Sequence, residues 1–181
     1  MTANATHIWV STGASALGGN SASTGSGLLQ GTFLPNGTVG WQFGWTLPGN
    51  TVASDFHLHG SNLFIASNPG GMLVLDTQSR TLSPVSGSLH TKFDTMHPYN
   101  NQLVIGLAGD GGSPPGVQMF NPLTGQFGNG KLIAGLPSNI VNGFADTPSI
   151  MYTATNGGVG RWNQTTQDWM RPITAGDGLP N

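Results

Sequence analysis

The sequence predicts an all-β protein: a β-propeller of about four blades, each of four antiparallel strands, with the first blade incomplete. Three observations predict it. Glycines 27, 71, 116 and 158 recur at intervals of 44, 45 and 42 residues, and a period of roughly 40 to 50 residues with four strands per unit is a propeller spacing. Strand-like runs inside each unit are apolar on both alternating faces, as a strand between two sheets must be. No stretch keeps a helical period over the roughly 11 residues needed to define a helix.

Composition agrees. The 181 residues include 29 Gly, 12 Pro and only 12 charged side chains, five basic and seven acidic. This suits short strands joined by tight turns, and 36% hydrophobic residues in regular runs argue against disorder. A net charge of −2 with five basic residues makes no phosphate-tracking stripe, so nucleic acid is not an expected partner. No apolar run reaches the roughly 18 to 20 residues of a membrane helix. Without cysteine there is no disulfide and no thiolate metal site. Met1 to Val10 lacks a basic segment followed by a long apolar one, so no signal peptide is expected in this chain; either the protein is cytoplasmic or the chain is a piece of a longer exported one.

The expected units cover about 6–48, 50–87, 90–134 and 139–174. First strands are marked by Phe56, Met96 and Phe144, with Ala53, Phe93 and Val141 three residues earlier. Second strands are His7 to Ser11, Leu63 to Ala66, Leu103 to Gly106 and Met151 to Ala154. They carry Ile8, Val10, Leu63, Ile65, Leu103 and Ile105 on one face, and Trp9, Phe64, Val104 and Tyr152 on the other. Third strands follow the recurring glycines. Five residues after each glycine stand Thr32, Asp76, Asn121 and Asn163, and the last three open turns because an Asx side chain bonds its own backbone two residues on. Fourth strands centre on Leu82, Phe127 and Trp169, and in the first unit run from Trp41 to Trp45.

The stretch Gly135 to Asn163 holds the grammar most completely: a Gly-Leu-Pro-Ser-Asn turn, strands at Ile140 to Phe144 and Ile150 to Thr155, the pair Gly157-Gly158, and a strand at Val159 to Trp162. It resembles the two-component regulator propeller repeat. The resemblance covers roughly residues 50 to 181. The tryptophan this family carries on its middle strand is present as Trp9 and replaced by Phe64, Val104 and Tyr152, and the Gly-Leu-Pro turn is clear at Gly135 and Gly178. The resemblance implies a ligand-binding or sensory module, extracytoplasmic and belonging to a hybrid histidine kinase or a secreted multidomain protein, with glycan or protein as ligand. The family's signature residues are structural, so no ligand residue carries over from them.

Topology places the loops. Connections in an up-and-down blade alternate between the two strand ends, so loops from strand two to three share a face with links between blades. The two insertions, Gly13 to Ser26 and Ala108 to Pro115, are of the first type and belong to that face, where binding on a rigid scaffold concentrates. Asn68, His90, Asp110 and Asn156 are the expected ligand-binding residues there.

Other chemistry is thin. Gly125 to Leu132 nearly spells a phosphate loop, but Leu132 stands where Ser or Thr must hold magnesium, and a strand rather than a helix is expected. His57 and His59, with His90, His97, Asp55 or Asp94, offer zinc-ligand types, yet nothing fixes a third ligand; no metal and no cofactor is expected. The Asp110 loop offers calcium a single carboxylate. There is no Gly-x-Ser-x-Gly elbow and no paired carboxylate spacing, so no catalytic residue is assigned. The alternative to a binding module is a propeller lyase or hydrolase with a site on the loop face. Nothing long enough precedes Thr6 to form a first strand, and the chain stops at Gly178 to Asn181, where a new unit would begin. The expectation is therefore either a truncated piece of a larger propeller or, for this chain in isolation, self-association through a shared ring or through blade edges.

Overall fold

The computed structural model describes residues 1–12, 27–49, 51–88, 91–107, 116–131 and 135–179. Among these residues sixteen strands form four four-stranded antiparallel sheets, each in sequence order. The first holds β1 (Thr2–Ala3), β2 (His7–Thr12), β3 (Gly27–Phe33) and β4 (Val39–Thr46); the second β5 (Val52–His59), β6 (Asn62–Asn68), β7 (Gly71–Asp76) and β8 (Thr81–Pro84). The third holds β9 (Phe93–Tyr99), β10 (Gln102–Leu107), β11 (Val117–Asn121) and β12 (Gln126–Lys131); the fourth β13 (Val141–Asp146), β14 (Ile150–Thr155), β15 (Gly158–Asn163) and β16 (Asp168–Ile173). Helical structure among the described residues is one 3₁₀ turn, Ala175–Asp177. The glycine-rich run before Lys131 is strand β12, so the geometry of a phosphate loop is missing there.

The expectation that nothing usable precedes Thr6 is corrected. Thr2 and Ala3 pair with Trp9 and Ile8. Two residues suffice because the Asn4 carboxamide oxygen accepts the backbone N–H of Thr6 (2.9 Å) and of His7 (2.8 Å), folding the chain back at once. The first blade thus has a vestigial inner strand.

The turns after the third strands are three copies of one device. The side-chain oxygens of Asp76, Asn121 and Asn163 each accept the backbone N–H groups two and three residues ahead, at 2.8 to 3.3 Å. Four residues ahead the backbone is left-handed in every copy, at Arg80 (φ 62°), Gly125 (φ 68°) and Gln167 (φ 58°). The amides that hold the Asp76 carboxylate, led by Ser79, also keep its pKa below the usual carboxylate range. In the first sheet Thr32 makes no such turn; a Leu34–Thr38 hairpin closed on the Asn36 side chain replaces it, which is why that copy departs from the rhythm.

The sheets stack face to face in chain order, each seam filled by its own apolar cluster. Trp9, Leu28 and Leu47 meet Phe56, Leu63, Ile65, Leu73 and Leu75 between sheets one and two. Phe64, Ala66 and Met72 meet Phe93, Met96, Leu103, Ile105 and Phe120 between two and three. Val104 and Val117 meet Val141 and Met151 between three and four. One row crosses every sheet from second to fourth strand: Ile8–Gly31–Trp41, Leu63–Leu75–Leu82, Leu103–Phe120–Phe127 and Met151–Trp162–Trp169. Leu82, Phe127 and Trp169 are thereby equivalent, and Trp41 is their counterpart in the first sheet. The inner strands touch in succession, β1 to β5, β5 to β9 and β9 to β13, with no comparable contact from β13 back to β1 among the described residues. The array is an open arc. Tyr152 accordingly departs from expectation: it matches Phe64 and Val104 in register, but its face of the fourth sheet is not packed against another described sheet.

Candidate functional site

Up-and-down order puts the β6–β7 and β14–β15 turns at one end of the arc, together with the links between sheets. The contacts agree: the Gly70 and Gly71 N–H groups donate to the Thr91 carbonyl of the β8–β9 link (2.7 and 2.8 Å). A Cβ at Gly157 would meet the Pro137 carbonyl of the β12–β13 link at 2.6 Å. The strand ends that lead into the insertions 13–26 and 108–115 lie at this end too; the insertions themselves, with His90 and Asp110, are outside the described residues.

Three of the four inner strands slip register once near this end, leaving one extra residue: Ser54 in β5, Asp94 in β9 and Asn142 in β13. A bulge turns its residue out of the regular alternation and re-aims the side chain. All three are short and polar, and all three make bonds at the same level. Ser54 Oγ donates to the Phe93 carbonyl (2.7 Å), Asn68 Nδ2 donates to Asp94 Oδ1 (3.2 Å), and Asn142 Nδ2 donates to Asn156 Oδ1 (2.8 Å). Both described residues of the expected set, Asn68 and Asn156, therefore rest on bulge residues of adjacent inner strands. Asn156 also lines a cleft of about 430 Å³ with Thr155, Gly157, Ala175 and Leu179. Ser54 and Asn142 were absent from the sequence-derived set, and Asp94 stood in it only as a zinc partner.

The remainder of the inner surface is histidine-rich. Asp55, beside Ser54, is fully engaged: Oδ2 accepts the Met96 N–H (2.7 Å) and the Thr95 hydroxyl (3.2 Å), and Oδ1 accepts the Phe56 N–H (2.8 Å). It latches one inner strand to the next and has little left for a metal. Burial first, then the nearby His59 and His97, push the His57 pKa below the ordinary imidazole value against the pull of Asp55, so His57 is neutral at neutral pH. His97 Nε2 lies 3.3 Å from Asp146 Oδ1 across the next inner-strand pair. Among the described residues no three His, Asp or Glu side chains converge as metal ligands.

A second cleft, about 280 Å³, opens at the other end between sheets three and four, lined by Tyr99, Asn100, Gln102, Trp162 and Gln167 among others. The Tyr99 hydroxyl is buried there without a protein partner.

No protein-family model matches the chain, and no curated protein sequence matches it. Solved structures do. The AfRom2 CNH domain is similar over 86% of this chain and 49% of its own length, with a TM-score of 0.61 and 12% identity. The extracellular domain of the B. thetaiotaomicron protein BT4673, assigned as a hybrid two component system, is similar over 83% of this chain and 23% of its own (TM-score 0.55, 16% identity). An auxiliary nutrient binding protein from Bacteroides thetaiotaomicron VPI-5482 is similar over 67% and 30% (TM-score 0.51, 19% identity). The chain thus spans half or less of the length of each. At these identities the likeness establishes the fold, an all-β stack of propeller blades.

Proposed function

We propose that this chain is a ligand-binding or sensory module acting outside the cytoplasm, built of repeats of the two-component regulator propeller type, with its ligand at the loop-bearing end. One observation carries the reading: at that end the bulge residues Asp94 and Asn142 of adjacent inner strands hold Asn68 and Asn156 by hydrogen bonds. Three carboxamides and one carboxylate present donors and acceptors side by side, which suits the hydroxyl-rich face of a glycan better than an apolar or strongly charged ligand. The extracellular and nutrient-binding character of two structural neighbours supports the same reading. A hydrolase or lyase needs an acid and a base together, and Asp94, already accepting from Asn68, is the one carboxylate of the four.

Glycan-array screening followed by calorimetric titration tests this. A bound glycan should lose about tenfold in affinity in Asn68→Ala and in Asn156→Ala, as expected for a hydrogen bond or two, with the melting temperature unchanged. Retained affinity in both variants, or a protein ligand captured with no glycan bound, would overturn the glycan reading.

A further inference from the structure

We propose that the two outer faces of the arc are halves of one seam, and that a second copy of this chain closes the ring, each copy seating its fourth sheet on the first sheet of the other. This does not depend on what the protein binds.

The internal seams supply the template. Each joins the Phe64-type face of one sheet to the Leu63/Ile65-type face of the next. Register gives the terminal equivalents. Ile8, Val10, Leu29 and Trp41 on the first sheet stand where Leu63, Ile65, Leu73 and Leu82 stand on the second. Tyr152, Ala154, Val159 and Arg161 on the fourth stand where Phe64, Ala66, Met72 and Val74 stand on the second. Leu63, Ile65 and Leu73 are at most 2% exposed, whereas Trp41 is 53% exposed and Phe33, paired with Val39 on the same face, is 42% exposed. An apolar sheet face of that kind is an association surface.

Charge points the same way. Residues 1–50 contain no Asp, Glu, Lys or Arg, so the first sheet carries none of the charges that keep an exposed sheet apart from others. Two charged residues stand on the opposing face: Asp168 at its rim, paired with Asn163, and Arg161, whose guanidinium is already settled by donating twice to the Arg171 carbonyl (2.9 and 2.7 Å). Held along its own sheet, its flat side can stack on an indole, and Trp41 occupies the equivalent of Phe127, which, like Val74, packs against the second-seam cluster. At Gly31, the position of Phe120, the Trp41 ring and Val39 already lie over the backbone, so the indole fills the place of the ring that Phe64 meets at 5.1 Å inside the molecule; Tyr152 of the other copy, in the Phe64 role, packs on that indole.

Size suits a second copy. The chain corresponds to 49% of the AfRom2 CNH domain, so two arcs of four sheets supply a ring of that order. A two-fold axis makes both seams identical and leaves no open face, the closed assembly preferred for such head-to-tail contacts.

Light scattering should give twice the 18.7 kDa chain mass, and Trp41→Glu and Tyr152→Glu should each return the monomer with an unchanged β-type circular dichroism spectrum; as Trp41 is half exposed in the single chain, its replacement leaves the fold intact. The chain has no cysteine, so introduced thiols are unique. Val10→Cys with Ala154→Cys in one chain should give a covalent dimer with a short bis-maleimide, and either alone should not. A wild-type monomer at every concentration, a dimer indifferent to both Glu substitutions, or cross-linking of Val10→Cys alone would overturn the proposal.

Discussion

Phe64→Ala should destabilise the protein by about 3–5 kcal/mol, the range for emptying a well-packed aromatic site. Phe64 is 2% exposed and sits on the second strand of the second sheet, between that sheet and the third. Its ring meets Phe120 edge-on at 5.1 Å, Phe120 meets Phe127 at 4.9 Å, and Phe127 meets Phe93 at 6.0 Å. Removing the first ring leaves a cavity and strips one edge-to-face partner from a connected set. The walls are β-sheet on both sides, hydrogen-bonded along their length, and cannot collapse into the space. Val52, 52% exposed, is the control; Val52→Ala should stay within about 0.5 kcal/mol of wild type. Urea unfolding measures both. A Phe64→Ala protein as stable as wild type would mean that the second sheet is covered on one side only.

Gly158→Ala should cost about 2–4 kcal/mol by a different route, through backbone rather than packing. Gly158 closes the β14–β15 turn at φ 131°, and a Cβ there would run into the Ile173 carbonyl oxygen and lie 3.1 Å from the Thr174 Cα. Those are main-chain atoms of the adjoining strand β16 and the residue after it, so neither contact is relieved by a rotamer change. Gly37→Ala is the comparison: its φ is 80°, but nothing lies within 4 Å of the added Cβ, so it should lose only the conformational term of about 1 kcal/mol. Equal losses in the two variants would contradict the close approach of β16 to this turn.

Gly158 also shows why so much of the fold was legible in the sequence. The recurring glycines mark a backbone requirement, since Gly71, Gly116 and Gly158 all have positive φ (73°, 149° and 131°). The Asx residues five places on mark turns that only a short acceptor side chain closes. Such local demands repeat at fixed spacing whatever the ligand does. The bulges carry a signal as well: Ala53 and Phe56, Phe93 and Met96, Val141 and Phe144 point into the seams three residues apart. Same-face residues in a regular strand are an even number apart, so a spacing of three requires one extra residue, and the polar side chain that fills it is Ser54, Asp94 or Asn142. Asn68 and Asn156 could be placed at the loop-bearing end from topology alone, but not their bonds to Asp94 and Asn142, because those bonds depend on how neighbouring strands slip. The strand Thr2–Ala3 is too short to leave a pattern. The outward-facing position of Tyr152 was hidden for a related reason: register equates it with Phe64, and only the stacking shows that no described sheet follows it.

Ligand held at the loop-bearing end, beside the bulged inner strands, should leave its mark in solution. Amide and side-chain chemical-shift mapping of the isotopically labelled protein during titration with the glycan selected on the array tests it most directly. Shifts should concentrate on Asn68, Asp94, Asn142 and Asn156, with the cleft at the other end silent. Shifts concentrated instead on Tyr99, Gln102 and Trp162 would contradict it and place recognition between the third and fourth sheets.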